Sequence, residues 1–168
     1  LVLKASSGGD VTIQYFGQKL TSSKEYALIG STYKQNGDFT GQLNSAYTPS
    51  GSRNLLEPAI SVVHADGNNS LNLSYVAHET KQINNNSTLT RILLKDPAYN
   101  FQVELYYQSF FKENVFEQWT VIKHQEKGTV VLQKFASANL HLKANDYYLR
   151  QYHGDWAQEM QPEESRIT

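Results

Sequence analysis

The chain has 168 residues, 15 Lys and Arg against 16 Asp and Glu, and no Cys. That length suits one domain with a sizeable core. The near-neutral charge removes the electrostatic attraction that holds a phosphate backbone, the missing thiols exclude disulfides and thiolate metal sites, and no apolar run approaches the roughly 18 residues of a membrane span. Neither nucleic acid nor membrane is therefore expected as a partner. The chain begins at Leu1 and its only Met is Met160, so it reads as one domain, residues 1–168, trimmed from a longer parent.

In chain order, strands are predicted at Val11 to Phe16, Tyr26 to Ile29, Ala59 to His64, Leu71 to Val76 and Thr88 to Leu94. Turn chemistry separates them at Ser7-Gly8-Gly9-Asp10, Gln35-Asn36-Gly37-Asp38, Asp66-Gly67-Asn68-Asn69 and Asn84-Asn85-Asn86. The polar tract Thr40 to Arg53 is the longest stretch without a strand pattern, and long loops on a rigid scaffold are where function often sits. Phe101, Val103, Leu105 and Tyr107 alternate with Gln102, Glu104 and Tyr106, the period of a half-buried strand. Phe116 to Ile122 carries apolar residues on both faces, as inside a stack of sheets. After Glu126-Lys127-Gly128 come strand patterns at Thr129 to Ser137, Leu140 to Lys143 and Tyr147 to Tyr152; the last stretch, from Trp156 to Thr168, shows no closing strand. About a dozen short strands without a helical stripe predict an all-β fold, a large antiparallel two-sheet sandwich.

Chemistry is sparse. The five histidines, at 64, 78, 124, 141 and 153, show no metal-ligand spacing, and no metal or cofactor is expected. His78 and Glu79 are neighbours on a predicted strand and point to opposite faces. The acidic residues are scattered, whereas glycosidase chemistry needs two carboxyl groups about 5 to 10 Å apart. Aromatics are denser: Tyr147, Tyr148, Tyr152 and Trp156 lie close in sequence, and such rings stack on sugars or fill a sandwich core.

Glu57-Pro58-Ala59-Ile60-Ser61-Val62 is followed by Asp66-Gly67 and Leu73-Ser74-Tyr75-Val76-Ala77-His78-Glu79. Further on stand Val103-Glu104-Leu105-Tyr106-Tyr107, Phe110, Asn114-Val115-Phe116 and Trp119, and then Leu149 through Gly154-Asp155-Trp156-Ala157-Gln158-Glu159, with Ser165-Arg166. Together, in this order, these three stretches resemble the first part, the central strands and the exit segment of the N-terminal domain of glycoside hydrolase family 36, the α-galactosidases.

The resemblance implies a β-supersandwich of the galactose-mutarotase-like kind, followed in the parent by a (β/α)₈ barrel holding both catalytic aspartates. It also implies packing on that barrel, homo-oligomer contacts and a loop sent toward a substrate pocket. The loop usually reads Gly-Asp-aromatic-Arg; here Arg53-Asn54-Leu55-Leu56 stands in its place. Arg53, Asn54 and Trp156 are thus the expected substrate-proximal residues, and Leu55 and Leu56 suit an apolar interface. The expected role is a non-catalytic accessory domain, inactive alone, of a retaining hydrolase acting on galactose-containing oligosaccharides. An autonomous carbohydrate-binding module and a mutarotase-like enzyme on the same fold are the alternatives. The compartment is open between an exported or periplasmic and a cytoplasmic bacterial location. Without its barrel the domain should expose more apolar surface than monomers usually tolerate.

Overall fold

The computed structural model describes residues 1–29, 44–52, 57–140 and 146–167. Four consecutive strands form its main antiparallel sheet: β4 (Ser74–Asn84), β5 (Ser87–Lys95), β6 (Phe101–Phe110) and β7 (Val115–His124), in that order. The β5/β6 ladder runs unbroken from Ser87 opposite Phe110 to Lys95 opposite Gln102, and β6/β7 from Phe101 opposite His124 to Phe110 opposite Val115. Tight turns set these registers. At the β4/β5 turn the Asn86 amide donates to the Asn84 carboxamide oxygen at 2.8 Å, a side-chain turn of the sort the Asn run predicts.

The opposing layer is assembled from smaller pieces. Strand β1 (Val2–Ala5) pairs with β2 (Val11–Tyr15), and β3 (Ile60–Val63) pairs with β8 (Val131–Phe135). Residues 44–50 join the two pairs. Ala46 N donates to Val11 O at 2.8 Å and Ile13 N to Asn44 O at 2.7 Å; further along, Ala59 N donates to Thr48 O at 2.8 Å and Ser50 N to Ile60 O at 3.0 Å. Phe101, Val103, Leu105 and Tyr107 of β6, with Ile92 and Leu94 of β5, face Val11, Ile13, Ala46, Tyr47, Ile60 and Val62 across the core. Each fully buried side chain of this size contributes about 1.5–3 kcal/mol, so this interface holds the two layers together. The fold is the expected all-β sandwich.

The structure corrects three sequence expectations. Tyr26 to Ile29 belongs to a short helix, α1 (Ser23–Ile29), not a strand. The Glu25 carboxylate accepts the Ser22 amide at 2.9 Å and the Thr21 amide at 2.6 Å; it closes the helix N-terminus as a Ser-x-x-Glu capping box does, and this local signal outweighs the β-propensity of Tyr26 and Ile29. The described part of the polar tract is no surface loop: Asn44 through Thr48 are buried, because their backbone groups find partners on β2 and β3. The terminal stretch does form a strand, β10 (Gln158–Ile167), paired antiparallel with β9 (Tyr147–Asp155). The cross-strand partner supplies what its own polar sequence does not announce. Of the Leu140 to Lys143 prediction, residues 141–143 lie outside the described residues, as does the Gln35 to Asp38 turn.

Candidate functional site

Arg53, Asn54, Leu55 and Leu56 lie outside the described residues, but both flanks of that loop are described. On the leading side Gly51 N donates to Leu71 O at 2.7 Å and Ser52 N to Pro49 O at 3.1 Å. A Cβ on Gly51 would lie 2.5 Å from the Leu71 carbonyl oxygen, so only glycine allows this approach. On the trailing side Glu57 pairs with Lys134 of β8, and that cation holds the Glu57 carboxyl below its ordinary range. Below the base, Tyr47 donates its hydroxyl to Ala136 O at 2.8 Å. The described residues on either side of 53–56 are thus held by backbone hydrogen bonds and an ion pair.

A second polar feature occupies the outer face of the main sheet. Glu104 of β6, 2 % exposed in its side chain, accepts from Arg91 at 2.5 Å, Lys123 at 2.9 Å and the Tyr106 hydroxyl at 2.7 Å. Tyr106 stacks on Trp119 with ring centroids 5.0 Å apart and planes 3° from parallel. The Arg91 guanidinium beside it, helped by Lys123 and Tyr106 against the cost of burial, holds the Glu104 carboxyl at about 2. A carboxylate this acidic has no proton to give at neutral pH, and three donors hold its two oxygens in place. It is a strut. The ladders explain why it was not legible beforehand: Glu104 meets Arg91 and Lys123 only because β5 and β7 flank β6 in this register.

Two histidines meet carboxylates. Nδ1 of His64 lies 2.8 Å from Glu126, the imidazole stacks on Tyr99 at 3.6 Å between centroids, and its Nε2 is buried without a partner. The imidazole is wholly buried, and only Glu126 reaches the open hollow that it lines with Asp66, Tyr99 and Lys127. His153 pairs with Glu163 across the β9/β10 ribbon, where both are exposed on an open surface. His78 contacts the Tyr75 hydroxyl at 2.7 Å and Glu79 pairs with Lys81 at 2.9 Å, so those neighbours diverge as their alternation requires. Among the described residues no accessible cleft brings a His and a carboxylate together as acid and base, and no three His, Asp or Glu side chains converge as metal ligands.

Trp156 stands at the tip of the β9/β10 ribbon and is 94 % exposed. Its amide donates to the Asp155 carboxylate at 2.7 Å, while Ala157 and Met160 hold φ of 62° and 58°. Left-handed backbone at non-glycine residues costs about 1–2 kcal/mol each, so the tip shape is imposed by the ribbon rather than by local preference. Elsewhere Tyr15, Phe16, Tyr26, Phe110, Phe111 and Phe116, with Gln18, Lys19 and Asn114, wall a cleft of about 480 Å³. Of the residues expected near substrate, Trp156 is among the described residues, whereas Arg53 and Asn54 lie outside them.

The model of the glycosyl hydrolase family 36 N-terminal domain matches residues 9–168. The chain belongs to this family. Its fold recurs in the galactosidase domain of an α-galactosidase–sucrose kinase, AgaSK (TM-score 0.82, 20 % identity). It recurs also in the α-galactosidase of Lactobacillus brevis (0.80, 18 %) and in the family 36 α-galactosidase AgaA of Geobacillus stearothermophilus (0.78, 18 %). Each likeness covers 99 % of this chain but only 26 % of the other, so the chain spans about a quarter of the length of the enzymes it resembles. A search of curated proteins finds no match.

Proposed function

We propose that this chain is the non-catalytic N-terminal part of an α-galactosidase-like retaining glycoside hydrolase, preceding a (β/α)₈ barrel on which it packs. The observation that carries this reading is the family match over residues 9–168. Its surface supports the same reading. Phe16, Tyr26, Phe111 and Val115 at the aromatic cleft, and Val131, Leu132 and Phe135 on β8, are all exposed, apolar groups that a packing partner would cover. In this proposal Arg53 and Asn54 line the margin of the barrel's substrate pocket, Leu55 and Leu56 cover an apolar contact, and the domain supports a homo-oligomer. Complexes of AgaA variants with raffinose and stachyose make galactose-containing oligosaccharides the substrate class to test.

The test is direct. Purified chain incubated with an aryl α-galactoside and with raffinose gives no turnover above buffer; hydrolysis that persists through repurification rejects the reading. The exposure of Trp156 favours one second reading, a sugar-binding module. Calorimetric titration with raffinose decides it: saturable heat lost in Trp156→Ala supports the module, and a flat titration leaves the accessory role.

A further inference from the structure

Asp66 and Gly67 stand in the exposed turn that follows β3. An aspartyl-glycyl bond carries a chemistry of its own: the glycine amide nitrogen can attack the aspartate side-chain carbon, because no side chain on the glycine obstructs the approach. Here Gly67 has a φ of 87°, and a Cβ built on it would meet nothing within 4 Å. Packing does not guard the bond; hydrogen bonding does. Asp66 Oδ1 accepts the Asn68 amide at 3.0 Å, the side-chain turn to which aspartate is prone, and Oδ2 accepts the Tyr99 hydroxyl at 2.9 Å. These two donors, Asn68 first, hold the Asp66 carboxyl below its ordinary range. The Gly67 amide itself donates to the His64 carbonyl at 2.9 Å. Tyr99 is fixed in turn, by Asn68 Nδ2 at 2.8 Å from its hydroxyl and by the buried His64 imidazole on which its ring lies. Ring closure at Asp66 needs the opposite state at each point. The carboxyl must take up a proton so that an oxygen leaves as water, the side chain must swing onto the amide, and the amide must give up its acceptor.

We propose that the bond between Asp66 and Gly67 is an isoaspartate-forming site latched by Tyr99, silent while the turn is closed and reactive when it opens locally. In the open turn the Gly67 nitrogen bonds to Cγ of the protonated Asp66 side chain. The amide proton and the carboxyl hydroxyl leave together as water, and a five-membered succinimide results. Water then adds to one of the two ring carbonyls. Cleavage of the new bond from nitrogen to Cγ restores aspartate; cleavage of the original bond from nitrogen to the main-chain carbonyl carbon leaves the chain running through the side chain, as isoaspartate. Water is the only co-reactant, and nothing is oxidised or reduced. The product adds one methylene to the backbone of the turn and turns Cγ from a carboxylate into an amide, so the acceptor that Tyr99 now holds is gone. The modification thus removes the latch that had suppressed it. The inference concerns this turn and its own contacts, and is independent of the function proposed above.

Peptide mapping of the aged chain, with isoaspartyl methyltransferase labelling of the peptide that holds Asp66, tests this. At physiological temperature isoaspartate should build up at Asp66 about tenfold more slowly in the folded chain than in the chain held unfolded in urea. Tyr99→Phe keeps the ring and removes the hydroxyl. It should speed the reaction in the folded chain by about fivefold, the weight of one hydrogen bond, and leave the rate in urea unchanged. Equal rates in the folded and unfolded chains, a Tyr99→Phe rate equal to that of the wild type, or no isoaspartate at Asp66 even in urea overturns the proposal. Should Tyr99→Phe not fold, the wild-type rate in urea below the unfolding transition decides. It should climb before the circular dichroism is lost, and a rate that stays flat until global unfolding overturns the latch. None of these readouts involves turnover, so their failure leaves the accessory-domain reading to its own assay.

Discussion

Replacing Glu104 by Gln keeps the volume of a side chain that is almost completely buried and removes the charge shared by Arg91 and Lys123. The size of the effect follows from the acidity of that carboxyl. A fall from an ordinary 4.5 to about 2 corresponds to about 3 kcal/mol of preferential stabilisation of the ionised form in the folded protein. Arg91 and Lys123 are 38 % and 50 % exposed, and water at their ends recovers part of the loss. Glu104→Gln should therefore cost about 2 kcal/mol at neutral pH, read as a lower urea midpoint at unchanged slope and a melting temperature lower by about 4–8 °C. The pH dependence has a definite sign. The folded-state value is depressed, so the stabilisation is complete above about 4.5 and is lost as pH falls toward about 2. The wild-type and variant stability curves should then converge across that interval. A difference that stays constant from neutral pH to pH of about 2, or one below about 0.5 kcal/mol at neutral pH, would refute the assignment of Glu104 as an ionised strut.

Gly51→Ala should destabilise the domain by about 1–3 kcal/mol, because the new methyl meets the Leu71 carbonyl and not a movable side chain; a neutral effect in urea denaturation would show that the loop base is not fixed. Asp96 is buried and accepts the amides of Asn72 at 2.8 Å, Ala98 at 2.7 Å and Tyr99 at 3.0 Å. Asp96→Ala strands these donors, with an expected loss of about 2–4 kcal/mol and faster amide exchange at Ala98 and Tyr99. Phe101→Ala, at the centre of the inter-sheet core, should cost about 3–5 kcal/mol; a loss under about 1 kcal/mol would mean that the two layers are not held by this contact. The chain has two Trp, and acrylamide at concentrations where the chain is dilute should quench Trp156 far more than half-buried Trp119, so Trp156→Phe should shift the emission to the blue.

The all-β class was legible in the sequence because period-two alternation and Asn, Asp and Gly turns are local properties. Phe101 to Tyr107 states its inward face outright, and the Asn84 to Asn86 turn carries its own hydrogen bond. The helix at Ser23–Ile29 was equally local and equally present, in Ser22 and Glu25; it was hidden by two residues of high strand propensity. The candidate loop was approached only through likeness to a family, since nothing in Arg53-Asn54-Leu55-Leu56 by itself directs chemistry.

What the sequence determined alone was the near-neutral charge, the absence of thiol chemistry, and the alternation that makes β5 and β6 amphipathic. What the tertiary structure decided was which strands became neighbours. Burial of residues 44–49 between β2 and β3 joins residues far apart in the chain, and Glu104 sits between Arg91 and Lys123 only through the register of β6 with both its neighbours. Backbone hydrogen bonds in a sheet are indifferent to side-chain identity, so a polar segment becomes a strand wherever a partner presents an edge. Pairing of that kind is settled by the register and packing of the whole sandwich, and no local window of residues contains it.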